Sequence, residues 1–144
     1  SLVGSEMCIR DSYPTAREGT LKILETMQIP IMNFDMEEFM HGPHRTIVED
    51  SYLIMIDTKG AGQTLMHNLI DFSKTKTDYY LIISTMRDEN QQTIHVGDYP
   101  MTSSWLNIVV VFQVLCTYFP EINGMNSSDP IYGDFATTVG TRIA

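Results

Sequence analysis

Three charged side chains share one stripe of a predicted helix near the start of the chain. Glu18, Lys22 and Glu25 lie four and three residues apart, and side chains at these spacings are neighbours on a helix surface. A carboxylate in a closed site can act as a general base, and a nearby lysine keeps it in its charged form. The same pattern is typical of a solvated face whose ion pairs contribute only about 0.2–0.5 kcal/mol each. Spacing alone favours the solvated face.

His41 is a second candidate for proton transfer. It follows a short helix predicted over Asp35–Met40 and precedes Gly42 and Pro43. An imidazole titrates near neutrality, so it can accept a proton and return it. A basic residue followed by glycine and proline is also the ordinary end of a helix, and periodicity alone favours that interpretation.

A metal site built from Glu37, Glu38, His41 and His44 is the alternative for this segment. Pro43 interrupts the helix between the two histidines. They therefore cannot share one helical face as a zinc-binding pair does. We expect neither a metal nor a cofactor.

A glycine-containing stretch, residues 59–64, follows a predicted strand and opens a helix. It reads K-G-A-G-Q-T. Successive amides at the start of a helix attract anions, but the stretch lacks the G-K-[ST] ending of a nucleotide-binding loop. An ordinary strand-to-helix turn is the favoured interpretation, with a phosphate loop as the alternative.

Alternating helices and strands must position these residues. A helix is predicted over Ala16–Gln28, with Leu21, Leu24 and Met27 on its apolar face, and Pro30 interrupts the pattern after it. The other predicted elements are strands over Ser51–Asp57, Asp78–Thr85 and Thr93–Val96, a helix from the glycine stretch to Lys74, and a helix over Trp105–Tyr118 that is buried on most sides. Strands that alternate with helices indicate a three-layer α/β/α sandwich around a parallel sheet.

Composition limits the functional class of the chain. Its 144 residues suffice for one domain, and 43% hydrophobic with 19% charged residues is a globular balance. A net charge of −9 argues against binding to a nucleic-acid backbone. The longest apolar run, Trp105–Phe119, is shorter than the roughly 20 residues of a membrane span. Two distant cysteines, Cys8 and Cys116, suit a reducing compartment. We expect a soluble, cytoplasmic protein that binds neither nucleic acid nor membrane.

The segment Ser1–Ser12 differs from the rest of the chain. It reads SLVGSEMCIRDS, without a helical or strand period, and is similar to the translated adapter read-through found at the ends of assembled environmental sequences. We predict a non-native leader that is exposed and packs poorly. The domain itself is predicted over residues 13–144. A short native lead-in is the alternative.

Two linked blocks of residues carry a family resemblance. Residues 13–25 fit Y-P-x-A-x-E-G-x-L-K-x-x-E, and residues 38–43 read E-F-M-H-G-P, with thirteen residues from Glu25 to Glu38. These blocks resemble the second SIS lobe of the phosphosugar isomerase-type enzymes, the family of glucosamine-6-phosphate synthase and its relatives. The resemblance extends more loosely through a helix containing Gln113 to Asp129-Pro130, and so covers residues 13–144.

The resemblance implies a parallel, flavodoxin-like SIS sheet and a mechanism. In this family a ketose or ketosamine 6-phosphate opens its ring, and a glutamate moves a proton between C1 and C2. Glu25 falls on that base, with Lys22 beside it in the catalytic group. His41 falls on the residue that assists ring opening, which reaches the site from the other subunit of a homodimer. Glu38 and Glu18 are implied as supporting residues that contact the substrate.

Two departures from the family matter. The first lobe, which carries the family's phosphate-gripping loop, is not represented in this sequence. The strand expected just before Tyr13 is replaced by the unusual segment Ser1–Ser12. We therefore expect a fragment of a two-lobed protein that lacks its first strand and is inactive alone.

The substrate prediction rests on a missing lysine. The synthase branch of the family uses a lysine near the carboxy terminus to handle the open-chain ketose, whereas this chain has no lysine after Lys76. Arg87 and Arg142 cannot replace it, because a guanidinium is not a nucleophile. A deglycase or deaminase acting on a fructosamine 6-phosphate is therefore predicted. The alternatives are the isomerase domain of a glutamine–fructose-6-phosphate aminotransferase, a non-catalytic sugar-phosphate sensor, and a purely structural lobe.

Overall fold

Five parallel strands form one sheet. Their bounds are β1 Gly4–Cys8, β2 Ile31–Asp35, β3 Tyr52–Asp57, β4 Tyr80–Ser84 and β5 Thr93–His95. They lie in the order β2-β1-β3-β4-β5, and every neighbouring pair is parallel. The computed structural model describes residues 12–97, 103–126 and 132–140 with their side chains, and residues 4–8 and 101–102 as backbone. The strand order is the flavodoxin-like one that the family resemblance implies.

β1 lies inside the sheet, between β2 and β3. Gly4 pairs with Ile31 on one side and with Tyr52 on the other. The prediction that the first strand is missing is therefore wrong, because a ladder of backbone hydrogen bonds accepts a segment of almost any sequence. Ser12 is also buried, with 5% of its surface exposed, against the expectation for the leader. The side chains of residues 1–11 lie outside the described part of the chain, and the non-native origin of this segment stays a prediction.

The sequence pattern misses β2 and predicts only an interruption at Pro30. β2 lies at the edge of the sheet, and each of its residues is exposed or half-buried. Strands buried on both faces produce a continuous apolar run. Asn33 lies in the middle of β2 instead, so this edge strand lacks that signal.

Helices cover both faces of the sheet. Their bounds are α1 Tyr13–Met27, α2 Met36–Met40, α3 Gln63–Lys74, α4 Met101–Ile122 and α5 Phe135–Val139, with a 3-10 helix over Pro43–Thr46. Residues of α1 and α4 pack in one apolar cluster and residues of α2 and α3 in another. β3 contributes Leu53 and Met55 to one cluster and Ile56 to the other, as expected of a central strand. The predicted three-layer sandwich is confirmed.

α4 differs from its predicted burial. It extends beyond the predicted Trp105–Tyr118, and only 22% of its segment Ser103–Ile122 is buried. That segment has a mean hydropathy of 1.5 and is long and apolar enough to cross a membrane by composition alone. Ile108 and Phe112 nevertheless pack into the core on one face, while Val110 and Val114 are about half exposed on another. The prediction of burial on most sides is wrong, because only one stripe of α4 meets α1 and the sheet.

Candidate active site

α1 carries Glu18, Lys22 and Glu25 on one stripe, as their spacing predicts. Lys22 Nζ donates a hydrogen bond to Glu25 Oε2 at 2.9 Å and lies 3.9 Å from Glu18 Oε1. The hydrogen bond to Glu25, and then the charge of Glu25, raise the pKa of Lys22. The Glu25 side chain is 51% exposed, so the pair contributes little to stability. What α1 presents is a carboxylate held by a cation on an open surface.

Small residues on the opposite side of α1 set its orientation. Ala16, Gly19 and Thr20 are buried, and a Cβ added at Gly19 would lie 2.7 Å from the ring of Phe112 in α4. Only a glycine allows this approach, because a real Cβ does not come so close to another heavy atom. The close contact between α1 and α4 turns the Lys22–Glu25 pair away from the core.

The predicted apolar face of α1 is wrong for Leu21 and Leu24, whereas Met27 packs against the core as expected. Leu21 and Leu24 are 47% and 43% exposed, whereas Ile23 is buried with the small residues. Large side chains ordinarily indicate the buried face of a helix. Here α4 approaches so closely that the interface selects small residues, and the two leucines lie beside the charged stripe.

Glu38 lies in α2 and His41 directly follows that helix. Both are apart from the charged stripe of α1. The Asp35 side chain accepts a hydrogen bond from the Glu38 N–H at 2.8 Å, and Glu38 Oε2 accepts one from the Asp35 N–H at 3.3 Å. This reciprocal pair is a capping box. The His41 N–H donates to the Glu38 carbonyl at 3.0 Å. Glu38 therefore holds the start of the helix that positions His41.

An open cleft of about 800 Å³ lies beside His41. It is lined by Tyr13, Asn33, Phe34, Asp35, Glu37, Glu38, His41 and Pro43. Neither Glu25 nor Lys22 is among these residues. The chain thus brings His41 and Glu38 together in one place, and Glu18, Lys22 and Glu25 in another.

The acidic residues around His41 do not form a metal centre in the described part of the chain. Among residues 12–97, 103–126 and 132–140, no group of three or more histidine, cysteine, aspartate or glutamate side chains is placed to hold a metal ion. His44 Nδ1 lies 3.2 Å from the Phe39 carbonyl oxygen, so that ring nitrogen is already occupied. Glu38 is engaged in the capping box.

Known proteins share this architecture. No protein-family model matches the chain. A protein from Clostridium difficile 630, assigned as a phosphosugar isomerase, superposes with a TM-score of 0.83 at 29% identity, over 99% of this chain and 40% of its own. The C-terminal domain of glucosamine-fructose-6-phosphate aminotransferase from Francisella tularensis superposes with a TM-score of 0.76 at 14% identity, over 88% of this chain and 37% of that one.

The chain has the SIS fold. Among curated proteins, an isomerizing glutamine–fructose-6-phosphate aminotransferase from Methanosarcina mazei is 29% identical over 112 residues, which are 74% of this chain and 18% of the relative. The resemblance predicted from the two motif blocks is confirmed, since the chain is similar to a phosphosugar isomerase and to glucosamine- or glutamine-fructose-6-phosphate aminotransferases. The chain spans 18% of the curated relative and 40% of the Clostridium difficile protein.

The SIS lobe contains a polar pair that sequence reasoning missed. Asp57, the last residue of β3, is 4% exposed, and its Oδ2 lies 3.1 Å from Nε2 of His67 in α3. Burial raises the pKa of the Asp57 carboxyl, and the neighbouring His67 ring and Ser84 hydroxyl partly offset the rise. The sequence signal for Asp57 is its position as a polar residue at the end of a buried strand. Such positions are candidates for a site, because ligands of parallel sheets bind at the carboxyl ends of the strands.

The glycine stretch after β3 is a strand-to-helix turn, the interpretation that the sequence favours. Gly62 is the N-cap residue before α3, with a φ of +95° that favours glycine, and no side chain caps the helix there. A Cβ on Gly62 would lie 3.1 Å from the Met36 side chain. This turn therefore packs against α2, the helix that precedes His41.

Proposed function

We propose that the chain is the second lobe of a two-lobed phosphosugar enzyme, in which Glu25 moves a proton between C1 and C2 of a phosphorylated ketose or ketosamine. The observation that carries this proposal is the Lys22–Glu25 pair on an exposed face of α1, 2.9 Å across. Proton transfer from carbon needs a carboxylate shielded from bulk water. Glu25 is exposed on this chain but already held by Lys22. We therefore expect α1 to form one half of the site, and a second lobe or subunit to cover it.

The other predicted residues receive roles that agree with their contacts. Lys22 holds Glu25, and Glu18 lies within 3.9 Å of Lys22 as a second acidic neighbour. His41, at the open cleft, would assist ring opening in the site of a neighbouring subunit. Glu38 would contribute chiefly by capping α2. Its side chain also lines the cleft, where it would contact the substrate.

Within this class we propose a deglycase or deaminase acting on a fructosamine 6-phosphate. Its substrate already carries nitrogen on C1, so no lysine is needed to bind the carbonyl, and no lysine occurs between Lys76 and Ala144. Glu25 would remove a proton from C1 to give an enaminol and return a proton to C2. The product is an imine at C1, which water hydrolyses to an aldose 6-phosphate and the free amine.

Two other functions remain as alternatives. The isomerase domain of an aminotransferase would use the same Glu25 but would install nitrogen rather than remove it. A sugar-phosphate sensor would bind a similar ligand without chemistry. A sensor needs neither a base nor a ring-opening residue, so the presence of Glu25 and His41 at the motif positions favours an enzyme.

We also infer a soluble, cytoplasmic protein that binds neither nucleic acid nor membrane. The net charge of −9 supports this inference for nucleic acid. For membranes, the support is the packing of Ile108, Phe112 and Cys116 of α4 into the core. Cys116 is a buried free thiol, which suits a reducing compartment.

The substitution Glu25→Gln tests the catalytic assignment in a protein that carries both lobes. Exchange of the substrate C1 and C2 hydrogens with deuterated solvent should fall by about 10²- to 10⁴-fold, because the amide cannot accept the proton. Binding of the sugar phosphate should stay nearly unchanged. Glu49→Gln, at an exposed glutamate remote from α1 in sequence, is the matched control. Exchange at the unmodified rate in Glu25→Gln would remove Glu25 from the role.

The direction of nitrogen transfer separates the deglycase from the synthase. The two-lobed protein is supplied either with a fructosyl-amine 6-phosphate or with fructose 6-phosphate and ammonia. We expect release of glucose 6-phosphate from the first and no amino sugar phosphate from the second. Efficient formation of glucosamine 6-phosphate without cleavage of the adduct would contradict the deglycase proposal and leave Glu25 as the base of a synthase.

A further inference from the structure

The outer face of α4 exposes a stripe of large apolar side chains. Four residues follow one another at intervals of four, and so lie on one stripe of the helix: Leu106, Val110, Val114 and Tyr118. Between 49% and 60% of each residue is exposed. Ile108 lies on another side of the same helix, in the core. α4 is therefore apolar both toward the core and toward solvent.

This outer face carries no charge. Residues 103–120 contain no aspartate, glutamate, lysine or arginine, although 19% of the chain is charged. The solvent side of a surface helix ordinarily carries charged and polar residues. Contiguous exposed apolar patches generally mark a surface of contact. We therefore expect another molecule to cover the outer face of α4.

A lipid surface does not suit this face. The segment Ser103–Ile122 is long and apolar enough to span a membrane, but Ile108, Phe112 and Cys116 hold one side of it in the core. A helix that lies on a membrane surface typically carries lysine and arginine along its polar side, and residues 103–120 have neither. Anionic lipid would also repel a chain with a net charge of −9. A protein surface is the better partner.

The spacing of the stripe makes it self-complementary. Two such helices that cross antiparallel, about a two-fold axis at the level of Phe112, place Val110 of one copy opposite Val114 of the other. Leu106 of one copy then meets Tyr118 of the other, because both pairs are centred on residue 112. Short valines at the centre allow close approach, and the longer side chains reach across where the helices diverge. A second copy of this chain therefore fits the face.

The charged stripe of α1 borders the same surface. α1 and α4 pack in one cluster on one face of the sheet. Glu25 is the main cause of the raised pKa of Lys22, and Cys116 of α4 contributes after it, so Lys22 lies close to α4. The Glu25 side chain is 51% exposed. A second copy seated on α4 would therefore also cover Glu25.

We propose that the outer face of α4 is an interface between two copies of this chain, which meet antiparallel through Leu106, Val110, Val114 and Tyr118. The interface itself is argued from the composition and spacing of α4, whereas its link to catalysis, the covering of Glu25, rests on the proposed function. The stripe spans about 18 Å along the helix, which is short for a stable dimer. We therefore expect a dissociation constant in the micromolar rather than the nanomolar range.

Sedimentation equilibrium of the 144-residue chain, between about 10 µM and 1 mM, tests the assembly. Val110→Glu should raise the dissociation constant at least about tenfold, because it buries a charge opposite an apolar side chain. Leu65→Glu is the matched control, since this leucine of α3 is 41% exposed and α3 packs in the other apolar cluster. A chain that stays monomeric, or a dimer that Val110→Glu leaves intact, overturns the proposal.

Paired charges test the antiparallel arrangement. In the double variant Val110→Lys/Val114→Glu, an antiparallel contact places unlike charges opposite each other, and a parallel contact places like charges there. We expect this variant to dimerise at least about tenfold more tightly than Val110→Glu/Val114→Glu or Val110→Lys/Val114→Lys. Equal dissociation constants for the three double variants overturn the antiparallel arrangement.

NMR of the unchanged chain needs no variant. On dilution the methyl signals of Val110 and Val114 should shift, whereas those of Val48, which is 62% exposed, should stay in place. Shifts seen only on addition of phosphatidylglycerol vesicles would assign the face to a membrane, and a two-lobed protein that buries Val110 as a monomer would assign it to the first lobe. Either result overturns the proposal. The assembly is measured without substrate, so it and the proposed catalysis by Glu25 can fail separately.

Discussion

The Lys22–Glu25 hydrogen bond and the Asp57–His67 pair differ in how far their contacts can be predicted from residue spacing. Lys22 and Glu25 are three residues apart on one helix, so their contact follows from helix geometry. Asp57 and His67 are ten residues apart and lie on a strand and a helix joined by a turn. Their contact depends on how α3 packs against β3, which no local spacing encodes. The first pair was predictable and the second was not.

Asp57 should make the folded state less favourable as the pH rises. Burial raises the pKa of Asp57 above its ordinary value of 3.8, so the folded chain binds this proton more tightly than the unfolded chain. The stabilising contribution is full below pH 3.8 and is lost as the pH rises through the raised pKa. We expect Asp57→Asn to remove this loss, so that its Tm relative to the unchanged chain increases with pH.

Thermal unfolding followed by circular dichroism between acid and neutral pH measures that difference. Asp50→Asn, at an exposed position, controls for the loss of one carboxyl group. A Tm difference between Asp57→Asn and the unchanged chain that stays constant, or that reverses sign, would contradict the expected dependence.

The close contact between α1 and α4 leaves little room for an added methyl group at Gly19. In Gly19→Ala the new Cβ would lie 2.7 Å from the Phe112 ring, and such overpacking typically costs about 1–3 kcal/mol. Alanine gains about 1 kcal/mol in helix propensity over glycine. We therefore expect urea unfolding to show a net loss of stability, despite the better helix former.

A double-mutant cycle with Phe112→Leu identifies the cause of that loss. The smaller side chain leaves space for the methyl group, so the double variant should be more stable than the sum of the two single changes predicts. Additive effects, or a Gly19→Ala chain more stable than the original, would mean that α1 and α4 can separate without cost.

The elements differ in how clearly the sequence predicted them. β3 and β4 were recognised because Leu53, Met55 and Ile82 belong to continuous apolar runs of central strands. β2 was missed because an edge strand with Asn33 in its middle has no such run. The sequence does not predict the buried face of α1, because small residues such as Ala16 and Gly19 give a much weaker hydrophobic signal than the exposed Leu21.

At the scale of the whole molecule, the separation of Glu25 from the His41 cleft predicts composite sites. If His41 serves the site of a neighbouring subunit, proteins carrying Glu25→Gln or His41→Ala are each inactive as homodimers. Co-expression of the two should restore part of the activity, because a heterodimer contains one site with both residues intact. Activity is measured on heterodimers isolated with two different affinity tags.

The control for that experiment is co-expression of Glu25→Gln with Lys22→Gln, which both alter the same stripe of α1. This pair should stay inactive, because Glu25 and Lys22 of one site lie on the same helix and neither site of the heterodimer keeps both residues. Isolated heterodimers of Glu25→Gln and His41→Ala that stay inactive would contradict the shared site.

The complete fold was predictable mainly through its motif blocks. Alternation of helices and strands indicated a parallel sandwich, but the order of strands came from the resemblance carried by residues 13–25 and 38–43. The place of Gly4–Cys8 in the sheet was not predictable, because its side chains carry no strand period and its pairing is made by the backbone. The predicted Asp129-Pro130 stretch lies outside the described residues.

The interior position of β1 has a consequence for how the chain folds. β1 is synthesised before the other four strands, and its two partners begin 27 and 48 residues after Gly4, at Ile31 and Tyr52. The sheet cannot close around β1 until both have emerged, and contacts between such distant residues slow folding through the entropy of loop closure. Until β3 emerges, the edge of β1 that β3 will cover stays unpaired, and another chain could occupy it. Because Gly4–Cys8 pairs with strands on both sides, we expect the yield of folded protein to depend on this strand more than on Glu18, Lys22 or Glu25.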